Sequence, residues 1–343
     1  MAVLRNLVVL ASAAVLTAAS LLAQQPAAPA PLPPASTTQA APQQTAPTSQ
    51  PTPEGQAAQT DGSAYTLKTF VPEVFQVFTV TDGKGRFVTG LKQQDFSLLD
   101  DRKYPEKIIS FTQQSNLPLR IGILLDTSNS IRSRFQFEQQ AATEFLLQVL
   151  RPKQDAAFVL GFDVRVDLAQ DYTNSIDKLS TAIEKLRPGG GTAFFDALYT
   201  TCRDQMLTVK SNDNIRKAMI VVSDGDDNYS VVTEQEAIKE CQRAETIVYT
   251  ISTNISPSKD KGDEVLARIS EATGGRTFYP NKIEDVARGF QAIEEELRSQ
   301  YSLRYRPADL KQDGAFRTIY LTALDQRYHV RTRKGYFAPR APQ

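Results

Sequence analysis

The sequence has no tryptophan, one histidine and two cysteines in 343 residues. The lone His329 argues against a histidine-rich metal site and leaves a Ser–His or Cys–His nucleophile pair with almost no choice of base. Two cysteines, Cys202 and Cys241, can close at most one internal disulfide. No surplus of charge exists either, with 39 Lys and Arg against 39 Asp and Glu. That balance gives no electrostatic reason to expect nucleic acid or an anionic membrane surface as a partner.

Long apolar runs are missing except at the start. There Arg5 precedes Leu7–Ala23, "LVVLASAAVLTAASLLA". The charge, the short run and the small residue before a polar shift read as an export signal over residues 1–23. No cysteine follows it, which argues against a lipoprotein anchor. The competing reading is an uncleaved anchor, although the run is short of the ~20 residues a span needs. Either way the chain is expected outside the cytoplasm: periplasmic, in the cell envelope or secreted. A membrane enters as a partner only if the segment stays uncleaved.

Residues 24–64 are dominated by Pro, Ala, Gln and Thr with no apolar period. Such a segment buries too little to offset its ordering entropy, and it is expected to be a disordered linker. It reads equally as a spacer and as a tolerated connection. Residues 65–115 alternate with period two, and "TDGKGR" is a hairpin turn signal. From residue 116 to 299 apolar strands ("LRIGILLD", "DAAFVLGFD", "RKAMIVVSD", "TIVYTIST") alternate with amphipathic helices, the pattern of a mainly parallel sheet covered on both faces. Residues 300–338 return to short β segments. The expected fold is therefore α/β, doubly wound and mainly parallel, inserted in or flanked by a small β-sandwich. Each β flank alone has too few strands to bury a core.

In an open parallel α/β sheet, ligands bind beyond the carboxyl ends of the strands, where the strand order reverses. Three loops there carry oxygen: "DTSNS" with Asp126, Ser128 and Ser130; "GGGT" with Thr192; and "SDGDD" with Asp224. Alternate positions in "DTSNS" would face Asp126, Ser128 and Ser130 to one side. Hydroxyls and carboxylates without His or Cys suit a hard six-coordinate cation, Mg²⁺ first, with Mn²⁺ or Ca²⁺ as alternatives.

These five residues, with the "GGT" and "SDG" around them, resemble the metal-ion-dependent adhesion site of von Willebrand factor type A (VWA) domains. The resemblance covers about residues 118–298. With the flanks "VFTVTDGKGRFVTGLKQQDFSLLDD" and "VRTRKGYF", the chain resembles the exported VWA-related proteins abundant in Acidobacteria. The resemblance implies a cation held directly by Ser128 and Ser130, with Thr192 binding it directly or in one of two states. Asp126 and Asp224 would act mainly through bound water, and an acidic group of a partner protein would complete the coordination. It implies an adhesion or scaffold module. The alternative is a structural cell-envelope protein whose ion only stabilises the loops.

Several residues keep a plainer reading beside the functional one. Asp226 and Asp227 could modulate the ion, but a solvated loop is the simpler expectation. Asp196 is either an outer acid of the site or a favourable charge in the first turn of a helix. Asp163 could reach the rim of the site, but a turn residue is the simpler expectation. Cys202 and Cys241 fall on two helices that could lie side by side, either bonded or as two thiols. Enzymatic readings are poorly supported. Ser128 and Ser130 have no base nearby in sequence, Ser128 stands where an aspartyl-phosphate motif needs a second Asp, and no Lys follows the glycines as a phosphate loop requires.

Overall fold

A computed structural model describes residues 73–113, 117–209, 215–254, 258–309 and 311–340. The expected export signal, the linker and the start of the first β segment lie outside these residues. Among the described residues, no helix is long and apolar enough to cross a membrane.

The expected doubly wound sheet is present. Its six strands are β4 (Leu119–Asp126), β5 (Ala156–Phe162), β6 (Val166–Thr173), β7 (Arg216–Ser223), β8 (Ile247–Ser252) and β9 (Thr277–Phe278), in the order β6-β5-β4-β7-β8-β9. All neighbours are parallel except β5 and the edge strand β6. Chain order runs outward from β4 in both directions, so the reversal point lies between β4 and β7.

The strands are apolar throughout because both faces are covered. On one face Ile121, Ile123 and Leu125 pack under α1 (Phe135–Val149), α2 (Ile176–Lys185) and α6 (Asp285–Arg298). On the other face Leu124, Met219 and Val221 pack under α3 (Phe194–Thr201), α4 (Glu234–Arg243) and α5 (Lys261–Thr273). Odd and even positions of one strand thus serve two cores, as the pleat requires. The winding changes after α3: the helix ends at Thr201 and Cys202–Met206 continues as a π-turn. A disulfide joins Cys202 in that turn to Cys241 on α4.

The flanks form two antiparallel sheets. One is ordered β12-β1-β10-β3, from His329–Thr332, Val74–Thr81, Tyr301–Arg306 and Lys107–Gln113; the other is β13-β11-β2, from Gly335–Phe337, Phe316–Ala323 and Phe96–Asp100. N-terminal strands pair with C-terminal ones: β1 lies between β10 and β12, and β2 pairs with β11. A third core of Val74, Phe78, Val80, Leu98, Tyr301, Leu303, Ile319 and Leu321 fills the space between them. These residues recur at every second position, the signature of half-buried strands.

Candidate functional site

The site is built where β4 and β7 end. Leu125 stands opposite Val222 in the register, so Asp126 and Ser223 leave the sheet together. Asp126 is fully buried. One carboxylate oxygen accepts the Ser128 amide at 2.8 Å and the other accepts the Ser223 hydroxyl at 2.7 Å. Burial nonetheless dominates and pushes its pKa up to about 6, with the neighbouring charge of Asp224 adding to the rise.

A chain of oxygens runs from this interior carboxylate toward solvent. The Ser128 and Ser130 hydroxyls lie 2.9 Å apart, and Ser130 Oγ donates to Asp224 Oδ2 at 2.7 Å. Ser128 is buried, whereas Ser130 is exposed. The inner end is therefore dry and the outer end open.

The alternation expected for "DTSNS" is not how these side chains meet. Extended backbone stops at Ser128, and Asn129–Ile131 wind into a 3₁₀ turn. A tight turn brings residues two apart closer than a strand would, and the two hydroxyls converge for that reason.

Thr192 enters from the glycine loop. It is buried, and its amide donates to Asn228 Oδ1 at 3.0 Å. The same loop is tied to the first one by Gly189 N to Thr127 O at 2.6 Å and by Asn129 N to Gly190 O at 3.1 Å. The third loop closes over it: a Cβ on Gly191 would meet the Tyr229 ring at 2.2 Å. All three loops are thus cross-linked in pairs. Four of the five expected residues form one hydrogen-bonded chain; Thr192 stands outside it, bonded through its backbone to Asn228 and Tyr229 of the third loop.

The neighbouring acids have structural partners. Asp227 is no solvated loop residue, since it accepts the Phe195 amide at 2.9 Å and the Ser230 hydroxyl at 2.5 Å at the start of α3. Asp196, in the first turn of α3, accepts the amides of Val231 and Val232. Asp163 forms a local turn with the Arg165 amide at 2.8 Å. Asp226 is exposed. Two contributors were not singled out from the sequence. Ser223 could have been found, because it directly precedes Asp224 at the end of an apolar strand. Asn228 carried no local signal, its partner lying 36 residues away.

The sequence profile of the von Willebrand factor type A domain matches residues 121–293, half of the chain. The chain belongs to the von Willebrand factor type A domain family. The matched VWA segment contains all three loops and both faces of helices. No curated protein matches the chain in sequence. Among solved structures it is similar to the PilB minor pilin of Streptococcus sanguinis, at 14% identity and a TM-score of 0.43, covering 54% of this chain and 62% of that one. It is also similar to proximal thread matrix protein 1 of the mussel byssus, solved with a zinc-occupied MIDAS motif, at 18% identity and a TM-score of 0.46, covering 58% and 50%. A third is the vWF domain of the pilus tip protein Mfa5 of Porphyromonas gingivalis, at 13% identity and a TM-score of 0.43, covering 52% and 94%. The chain thus spans less than two thirds of the first two relatives.

Proposed function

We propose that the chain is an exported, non-enzymatic protein-binding module that uses a divalent cation to grip an acidic side chain of its partner. The observation that carries this reading is the chain Asp126–Ser128–Ser130–Asp224, dry at one end and open at the other. Its donors are all oxygen, and they fit a hard cation better than a soft one. Ser128, Ser130 and Thr192 would hold the ion, and Asp126 and Asp224 would supply charge around it. Mg²⁺ is the first candidate, with Mn²⁺ and Ca²⁺ next. When bound, the ion supplies a Lewis-acidic position for a carboxylate.

Neutral donors in the majority leave such an ion short of negative charge, which favours an acidic group from outside. Export is supported by the apolar N-terminal run and by the Cys202–Cys241 disulfide, a bond that persists in oxidising compartments. A binding rather than a catalytic role is supported by the position of His329, which sits on β12 in a different sheet from the site.

The test is calorimetric titration of the purified chain with Mg²⁺ and Mn²⁺, beside Asp126→Ala. Binding by the parent and none by the variant is expected, followed by chelator-sensitive capture of an acidic peptide. Cation binding with chelator-insensitive partner capture would instead favour an ion that only stabilises the loops.

A further inference from the structure

Glu138 lies in the first turn of α1, the helix that follows the "DTSNS" loop. It is fully buried, and neither carboxyl oxygen has a hydrogen-bond partner among the described residues. Among the described residues its cationic neighbour is Arg134, whose Nε stands 3.6 Å from Oε1, beyond hydrogen-bonding distance. That Nε is itself unsatisfied, while the other end of the guanidinium donates to Thr253 Oγ1 at 3.1 Å. A well-made buried ion pair satisfies both partners; this pair leaves both wanting.

The charged groups that act on Glu138 are Arg134 on its own helix, Asp126 at the end of β4 and Asp224 after β7. Burial is the largest effect and pushes its pKa up to about 8, and the two aspartates push the same way against Arg134. The carboxyl is thus within the field of the two acids that flank the Ser128–Ser130 pair. A cation seated on those hydroxyls would act on Glu138 with the opposite sign.

We propose that Glu138 is a buried carboxyl coupled to the cation centre from outside it: protonated while the centre is empty, and ionised by loss of its proton to solvent when a divalent ion arrives. Ion and proton then exchange one for one, and the buried charge exists only when the ion is there to face it. Glu138 is a positioning residue, acting on the ion through space rather than by ligation. This inference rests on the cation-binding reading given above.

The experiment is calorimetric titration of the full chain with Mn²⁺ at pH 7.5, in two buffers that differ in heat of ionisation. At that pH Asp126, raised to about 6, is already ionised. The parent should release most of one proton per ion bound, and its affinity should rise with pH up to about pH 8. Glu138→Gln should release almost none, bind Mn²⁺ about tenfold or more weakly, and lose the pH dependence. Mn²⁺ binding by the parent without proton release overturns the inference, as does a Glu138→Gln protein with parental affinity and proton count. Absence of Mn²⁺ binding by the parent overturns the cation-binding reading itself, and the inference falls with it. If Glu138→Gln does not fold, the proton count and pH profile of the parent decide alone.

Discussion

Ser130 donates to Asp224 at 2.7 Å across 94 positions of sequence, and this bond joins the loops after β4 and β7. Both groups lie at the solvent end of the oxygen chain, so their contribution to folding is small, about 1 kcal/mol. Their contribution to the cation should be larger. Asp224→Ala is expected to weaken Mg²⁺ or Mn²⁺ binding about 10- to 100-fold with little change in stability. Calorimetric titration and chemical denaturation of the same protein check both halves.

Backbone contact holds Asp224 against α5. Gly225 has φ +80°, and a Cβ on Gly262 would meet Asp224 O at 2.1 Å. Gly262→Ala must therefore push the third loop away from the helix. We expect about 1–3 kcal/mol of lost stability, the usual range for overpacking, and weaker cation binding as well. Thermal unfolding and titration would show the two losses together; a parental affinity would mean that the loop tolerates the shift.

The Cys202–Cys241 disulfide closes a loop of 39 positions between buried side chains. The chain-entropy argument gives about 2–4 kcal/mol for such a crosslink. Cys202→Ala with Cys241→Ala should lose about that much in denaturant unfolding. Because both sulfurs are buried, reduction of the folded protein should be slow until denaturant opens α3 and α4.

Glu296 on α6 gathers groups from two sheets and from the turn before β9. It accepts the Tyr249 hydroxyl from β8 at 2.9 Å, pairs with Arg276 at 3.1 Å, and pairs with Arg331 of β12. Glu296→Ala strands two partly buried guanidinium groups, a change that typically costs about 3–5 kcal/mol. Denaturant unfolding should show that loss, and Arg331→Ala in the same background should add little further.

Stability of the cation-free protein should depend on pH through Glu138. Its pKa rises from 4.5 to about 8 on folding, so the folded state binds more protons than the unfolded state between those values. Stability from this group is therefore full below about pH 4.5 and declines as pH rises toward 8, on the order of 1 kcal/mol per pH unit at most. Unfolding at pH 5.5 and 7.5 in the presence of chelator checks the sign. A protein more stable at the higher pH would show that other groups outweigh Glu138.

The α/β layering was legible because the physics is local. Each core strand is a continuous apolar run, and each run stops at a polar loop. The positions of Asp126 and Asp224 follow from that alone once the strands are placed. The meeting of Ser128 with Ser130 was expected for the wrong reason, since it depends on a 3₁₀ turn rather than on strand alternation. Asp227 and Asp196 could not be assigned from sequence, because the amides they accept across the loops lie 32 to 36 residues away. Glu138 was the more legible omission. It falls on the same face as Phe135, Ala141, Ala142 and Phe145 of α1, and an acid on the apolar stripe of a helix is a signal in itself.

Gln113 at the end of β3 and Tyr301 at the start of β10 are direct partners in the register of the four-stranded sheet. The chain leaves that sheet and rejoins it at adjacent points, with the whole six-stranded layer between the two crossings. The ends of the interruption are thus held together by the sheet, and Arg216 of β7 adds bonds to Leu117 O and Gln300 Oε1 on the two crossings. Loop-closure entropy grows only slowly with length, so the paired strands form a socket nearly indifferent to the size of its occupant. Any folded unit whose own termini meet could be plugged in there, and a short hairpin would serve to close the socket without one.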